Sequence, residues 1–357
     1  ERFGIPRDTE ILPHGGGHIN ASYRVEGDGR GSEAGYLLQR LNPGAFRDSG
    51  AVMRNLTRLT THLETAATRA GIAQPERRVV RLVPTPSGEP FVIASDGACW
   101  RLFPFIHRTR TIERVENPTQ AREIGAAFGL FHRLAATYNG IALETTIPDF
   151  HDTARQLEQF EEILRRNPVG QAERVEPEIA VVRLHAPLAP LLRSGAPRTR
   201  LAHNDAKPAN VLLDADSGAG LAVVDLDTVM PGTILHDVGD LIRSASSSAA
   251  EDERDLSRVG VEARLFLSLA SGFLAAGGSG ILDDVECELF VAAGLTITYE
   301  QAVRFLADHL AGDRYYRISR SGQNLDRARA QLRLLDSLVA MRSELERAIR
   351  DLARSLG

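Results

Sequence analysis

LAHNDAKPANVLLDADSGAGLAVVDLD, residues 201–227, is the stretch whose reading decides the fold. It divides into a strand edge, a polar loop, a short strand, a Gly-containing turn and a second apolar strand with an acidic end. The loop His203-Asn204-Asp205-Ala206-Lys207-Pro208-Ala209-Asn210 has the form His-x-Asp-x-x-x-x-Asn. Fifteen residues past Asn210, the run Leu221-Ala222-Val223-Val224 ends in Asp225-Leu226-Asp227. Phosphoryl transfer needs a carboxylate to accept the attacking hydroxyl's proton, plus oxygen ligands for the magnesium that bridges the phosphates. Asp205 fits the first task; Asn210 and Asp225 fit the second, with Asp227 a third possible ligand. An Asp–Asn spacing of five is by itself weak, since such pairs usually cap turns. The histidine before it, the lysine after it and the hairpin leading to a strand-terminal Asp give it weight.

The lysine stands out for another reason. Of 42 Lys+Arg residues, only Lys207 is a lysine. A compact ammonium is not interchangeable with a planar guanidinium. Its survival two residues after the proposed base points to a role on the transferring phosphate, rather than to a chance remnant.

Outward from this stretch, composition narrows the classes. A chain of 357 residues with 43% hydrophobic and 25% charged residues supports two packed units with ordinary cores. A net charge of −5 argues against a nucleic-acid partner. Cys99 and Cys287, far apart, offer neither metal spacing nor a disulfide framework, as suits a reducing cytoplasm. No apolar run reaches the ~18 residues of a membrane span, so no membrane partner is expected. Oligomeric state is not written in the sequence, and a monomer is compatible with it.

Toward the N-terminus, Gly15-Gly16-Gly17-His18 lies between two strand-like segments, with a further strand over 36–41. Glycines between strands let backbone N–H groups approach phosphates, although such a turn alone is more often a plain hairpin. A helix is expected over 50–70, strands over 78–83, 89–93 and 98–103, and a hinge at Pro104-Phe105-Ile106-His107. Phe105 would there offer an apolar wall to adenine. From Asn117 the pattern is helical: Asn117-Pro118 reads as a helix start, with further helices near 152–166, 176–192, 261–276, 283–310 and 331–352. The expected division is a nucleotide-binding lobe over 1–106 and a helical lobe over 107–357.

This combination resembles the aminoglycoside-phosphotransferase branch of the protein-kinase-like fold, and within it the N-acetylhexosamine 1-kinase family. The residues that carry the likeness are Gly17-His18-Ile19-Asn20, the run 36–42, His203-Asn204-Asp205, the run 224–232, and Arg304-Phe305-Leu306-Ala307-Asp308. Asp313-Arg314-Tyr315-Tyr316 and Asn324-Leu325 extend it over nearly the whole chain. The resemblance implies an α+β bilobal fold, an N-terminal antiparallel-sheet lobe followed by a larger, mainly helical one. It implies ATP and Mg2+ as cofactors, and transfer of the γ-phosphate to the anomeric hydroxyl of GlcNAc or GalNAc. On the same ground Asp205 contacts the reacting hydroxyl, and His18, Arg304 and Tyr315 line the sugar site. Without it, Arg304 reads as a helix-surface ion pair, His18 as a loop cap and Tyr315 as a core ring. His203 and Asp237 are expected to fix the loop backbone, with helix capping the plainer reading for Asp237.

Two departures stand against the pattern. Protein kinases carry a lysine on the third strand, where this chain has Gln39 and Arg40; Arg40 is the candidate for the α-phosphate. Ser244 replaces an aromatic residue that relatives place after Ile-Arg.

Other classes fit less well. Asp225-x-Asp227 also suits a phosphatase that forms an aspartyl phosphate, but that chemistry needs a downstream lysine. A nucleotide-sugar transferase has no use for the Asp205/Asn210 loop. Another small alcohol, such as an aminoglycoside or choline, is an alternative acceptor, and a catalytically silent binding protein an alternative role.

Overall fold

Alternating side chains over residues 21–25 and 36–40 set the N-terminal sheet. The computed structural model describes residues 2–15, 20–26, 35–44, 46 and 48–356. Five antiparallel strands, β1 (Ile11–Pro13), β2 (Ala21–Val25), β3 (Tyr36–Arg40), β4 (Val92–Ile93) and β5 (Cys99–Pro104), lie in the order β1-β2-β3-β5-β4. The register places Ser22 opposite Gln39, and Gln39 opposite Arg101. Paired residues share a face and neighbours along a strand alternate. Ser22, Gln39 and Arg101 therefore form one row across three strands, while Arg40 and Trp100 belong to the opposite face.

The helix Ser49–Arg69 begins at Asp48, whose side chain accepts the Ala51 N–H. Val52, Leu56, Leu59 and Leu63 recur every three or four residues and are all buried. Each buried aliphatic side chain contributes about 1.5–3 kcal/mol. The helix packs on the short turn Leu226–Thr228, so the acidic end of the 201–227 stretch is anchored to this core. Residues 1–110, 134–148 and 212–231 make up this first compact unit.

The second unit comprises residues 111–133, 149–211 and 232–357 and is mostly helical. At its centre the helix Phe290–Leu310 is buried on most sides and packs on Gln323–Leu356, Ile234–Ala245 and Thr153–Arg166. A Cβ at Gly239 would overlap Ile297 and meet the Ala293 carbonyl at 2.5 Å, so glycine there lets two helix backbones meet. Asn117 caps Pro118–Ala135 as expected, its Oδ1 accepting the Gln120 N–H at 3.0 Å. The α+β protein-kinase-like class is the one observed.

Several local expectations need correction. The strand expected over 78–83 is absent; the segment begins as the short helix Pro75–Arg78 and continues without regular structure apart from a bridge between Val79 and Val223. Only Val92–Ile93 remains of the strand expected over 89–93. Pro84, Pro86 and Pro90 remove ladder donors there. The 176–192 helix is cut into Glu176–Leu184, Ala186–Leu188 and Leu191–Ser194, because Pro187 and Pro190 cannot donate in a helix interior. The last helix is longer than its apolar stripe suggested, running from Gln323 to Leu356.

Candidate active site

The loop over 203–210 hangs from Asp237. This buried carboxylate accepts the backbone N–H of His203 on Oδ2 and that of Asn204 on Oδ1, both at 2.6 Å. His132 Nε2 approaches it at 2.8 Å. Burial opposes the charge on Asp237, but the contacts of His132 and His203 together outweigh it and its pKa falls. The helix Ile234–Ala245 is capped by Thr233, not by Asp237, so Asp237 is left to fix the loop. The His203 ring packs edge-on against Phe128 and Phe131. Asn204 takes a left-handed conformation, φ 62°, which Asn tolerates better than most residues.

This anchoring sets out the next residues. Lys207 Nζ lies 2.9 and 3.1 Å from the two Asp205 carboxylate oxygens. Asn210 Nδ2 donates to Asp205 Oδ2 at 2.9 Å and to the Asp205 carbonyl at 2.8 Å. Burial alone would raise the Asp205 pKa; the Lys207 ammonium, reinforced by the Asn210 amide, holds it down at about 2. At neutral pH the carboxylate is ionised and able to accept a proton. Asp240, by contrast, is pushed up by burial and by the charge of Asp205, although Arg243 pairs with it at 2.7 Å. With both Asn210 amide hydrogens committed to Asp205, its oxygen is the atom left for a cation, the donor type that Mg2+ prefers.

Asp225 and Asp227 belong to the first unit. The strand Gly220–Val223 is buried throughout, and Asp225, one residue beyond Val224, stands at φ 60°, ψ 52°. For a residue other than glycine this conformation costs of order 1–3 kcal/mol and clusters at functional sites. Asp227 differs. Arg101 pairs with both its carboxylate oxygens, and Asn20 Nδ2 donates to Oδ2 at 2.8 Å. These oxygens are committed inside the fold, whereas the strained position falls on Asp225.

Of the N-terminal candidates, Gly15 is exposed with φ 69°, while Gly16, Gly17 and His18 lie outside the described residues. The Phe105 ring meets His14 edge-on at 5.1 Å, and the Arg24 guanidinium lies 4.9 Å from its centre. The Phe105 N–H is taken by the Gly35 carbonyl. Arg40 is exposed and 3.5 Å from Asp96, on the sheet face opposite Gln39 and Arg101.

A second cluster forms in the helical unit. Arg304 is largely buried, with its guanidinium 5.0 Å from the Phe150 ring centre, 5.7 Å from Tyr316 and 5.9 Å from Tyr315. Its pKa is raised: burial opposes the charge, and Tyr316, Glu300, Tyr315 and Asp240 overcome that. Tyr315 keeps 69% of its surface exposed. Asp308 explains why the 304–308, 313–316 and 324 blocks go together. Its carboxylate accepts the backbone N–H groups of Arg314, Tyr315 and Tyr316 and the Asn324 amide, at 2.8–3.0 Å.

His151 connects this cluster to the 203–210 loop. Its Nε2 is 3.0 Å from the Asn204 carbonyl and its Nδ1 2.8 Å from Glu300. Both contacts need a donor on the ring, and Glu300 outweighs burial to raise the His151 pKa. His236, whose ring centre lies 4.8 Å away at a tilt of 42°, is driven down to about 3 by burial and by the His151 charge. Ser244 Oγ donates to the Asp240 carbonyl at 2.6 Å and lies 3.5 Å from the Ala206 carbonyl.

Arg101, His151, Glu300 and Phe150 were not singled out from sequence. Arg101 alone carried a signal, a charge on the inward face of a strand whose neighbours Cys99 and Phe103 are apolar. His151 and Glu300 sit 149 residues apart and have no local pattern.

Among solved structures, an aminoglycoside phosphotransferase from Alicyclobacillus acidocaldarius superposes with a TM-score of 0.62 at 13% identity, covering 99% of this chain and 95% of that one. A microcompartment-associated aminopropanol kinase gives 0.58 at 14%, covering 97% and 96%. An amicoumacin kinase, solved with AMP-PNP and Ca2+, gives 0.58 at 15%, covering 92% and 89%. Identities this low carry the fold alone. The phosphotransferase enzyme family (APH) itself matches residues 10–266, across the sheet, the 203–210 loop and the Asp225 strand. The chain therefore belongs to the phosphotransferase enzyme family.

Proposed function

We propose that this chain is an ATP-dependent small-molecule kinase that phosphorylates the anomeric hydroxyl of an N-acetylhexosamine, giving the sugar 1-phosphate. The observation that carries the kinase reading is the ionised Asp205 carboxylate, held by Lys207 and Asn210 in a loop fixed by Asp237. Asp205 orients the acceptor hydroxyl and takes its proton as the oxygen attacks the γ-phosphorus. The bond to the ADP oxygen breaks in the same displacement. Lys207 exchanges its contact with Asp205 for the incoming phosphate, where its charge offsets the charge that develops. Asn210 through its amide oxygen, and Asp225 through its carboxylate, are the residues suited to Mg2+. Bound with ATP, that ion supplies charge neutralisation on the phosphates. The intact base, lysine and amide speak against a silent binding protein.

Arg304 supports the choice of acceptor. The kinases similar in fold include enzymes named for aminopropanol and ethanolamine, alcohols that carry a positive charge. Aromatic clusters can hold such cations, but here the rings of Phe150, Tyr315 and Tyr316 surround the chain's own guanidinium. A second cation beside it is repelled, whereas a neutral molecule with a carbonyl, such as an N-acetyl sugar, finds N–H donors. The test is an acceptor panel scored by coupled ADP release, with phosphate position read by 31P NMR. N-acetylhexosamines are expected to turn over and cationic alcohols are not. Turnover confined to choline, ethanolamine or aminoglycosides overturns the acceptor assignment while leaving the kinase reading intact.

A further inference from the structure

Arg101 is the largest fully buried side chain among the described residues, and the chemistry above makes no use of it. Burying a guanidinium costs several kcal/mol unless it is paired and hydrogen-bonded. Here both conditions are met. Nε and one terminal nitrogen donate to Gln39 Oε1 at 3.0 and 2.8 Å, and the terminal nitrogens pair with both oxygens of Asp227. Each partner is tied further. Gln39 Nε2 donates to Ser22 Oγ at 2.9 Å, while Asn20 donates to Asp227 and accepts the Asn42 N–H at 3.0 Å. The network is a rigid row across β2, β3 and β5 that ends on Asp227.

Asp227 lies within the single turn Leu226–Thr228 that follows Asp225. A strained conformation such as that of Asp225 persists only where its surroundings over-determine it. The grip on Asp227, two residues away, supplies that constraint. We propose that Arg101 is a positioning residue: by clamping Asp227 it holds Asp225 in the left-handed conformation in which it serves the metal–nucleotide. The sheet's structural cation then stands on β5, directly opposite the Gln39 position where the third strand has no lysine. Arg40 takes no part in this row. The inference rests on the reading of Asp225 as the metal–nucleotide carboxylate.

Removing one member of a buried pair can simply unfold a protein, so the pair is removed together. Arg101→Met combined with Asp227→Asn is compared with wild type and with Asp225→Ala, without and with a non-hydrolysable ATP analogue. Thermal melting reports the fold. Electron paramagnetic resonance of free Mn2+ reports metal–nucleotide binding without any turnover. The expected result is a folded double variant whose Mn2+–nucleotide affinity falls about 10–100-fold, the range for losing a support behind a metal ligand. A folded double variant with wild-type Mn2+–nucleotide affinity, whether or not its melting falls, means that the pair does not position Asp225, and overturns the proposal. Should the double variant fail to fold, Gln39→Met leaves the ion pair and loosens Arg101; it is expected to weaken Mn2+–nucleotide binding, and unchanged affinity overturns the proposal. Wild-type Mn2+–nucleotide binding by Asp225→Ala identifies a different failure, that of the Asp225 reading itself.

Discussion

Lys207 Nζ lies 2.9 Å from Asp205 Oδ2, so the only lysine of the chain neutralises the carboxylate proposed as the base. Its charge is the leading reason that the Asp205 pKa drops to about 2 against the opposing effect of burial. A base is inactive when protonated, so activity is lost only as pH falls toward that value. The acid limb of kcat/KM from Asp205 is therefore expected well below neutrality. Lys207→Met removes the lowering influence, raises the Asp205 pKa and moves the limb to higher pH, alongside a loss of rate. A limb at unchanged pH would show that Lys207 does not tune Asp205.

Asp225 and Asp227 are expected to differ in their effect on stability. Asp227→Ala strands Arg101 as a buried unpaired charge and should cost about 3–5 kcal/mol of stability, seen as a lower denaturant midpoint. Asp225→Gly removes the left-handed strain and should leave stability within ~1 kcal/mol of wild type, while metal-dependent nucleotide binding is lost. The reverse ordering, a fragile Asp225 variant and a robust Asp227 variant, would contradict the assignment of structural and metal roles.

Arg304→Ala is expected to raise KM for the acceptor, or lower its kcat/KM, with little change in KM for ATP. Asp308→Ala should do the same indirectly, because it frees three backbone N–H groups that fix Tyr315 and Tyr316. Steady-state kinetics with each substrate varied in turn decides the point. An ATP defect with acceptor kinetics intact would move Arg304 to the nucleotide side.

The buried His151–Glu300 pair makes stability depend on pH. Glu300 outweighs burial and raises the His151 pKa above 6.5. A raised folded pKa contributes stability that is complete below the unfolded value and lost as pH rises through the folded one. Near-neutral His236, the Asn204 carbonyl and Arg304 are the other groups facing the ring. The melting-temperature gap between wild type and His151→Gln should therefore be widest below the unfolded value of 6.5 and narrow as pH rises through the raised folded one. A gap that widens with pH would mean that His151 is held neutral.

These relationships differ in how far the sequence exposes them. His203 to Asn210 is one loop, and backbone geometry alone brings Asp205, Lys207 and Asn210 within hydrogen-bond reach, so spacing was a sufficient guide. The helix Ser49–Arg69 was equally legible because its stripe of Val52, Leu56, Leu59 and Leu63 repeats locally. Arg101 meets Asp227 across 126 positions and His151 meets Glu300 across 149, and no periodic pattern links residues so distant. The segment over 78–83 misled for a local reason, since Val79, Val80 and Val83 suggested a strand where the chain starts as the helix Pro75–Arg78 and then makes only isolated pairings, the bridge between Val79 and Val223 and the Val83 N–H to the Leu102 carbonyl. The 304–308 and 313–316 blocks were visible as text, but the reason they travel together, the Asp308 carboxylate collecting three N–H groups, is visible only in three dimensions.

The central claim is that Asp205 accepts the proton of a sugar hydroxyl during transfer from ATP. Its most direct test is single-turnover transfer of labelled γ-phosphate to GlcNAc or GalNAc by wild type and by Asp205→Asn, with ATP affinity measured on the same samples. Wild type is expected to form the sugar 1-phosphate, and the folded Asn variant to bind ATP normally while the rate falls about 10²–10⁴-fold. Equal rates for the two proteins, with the variant free of revertant, would contradict the account.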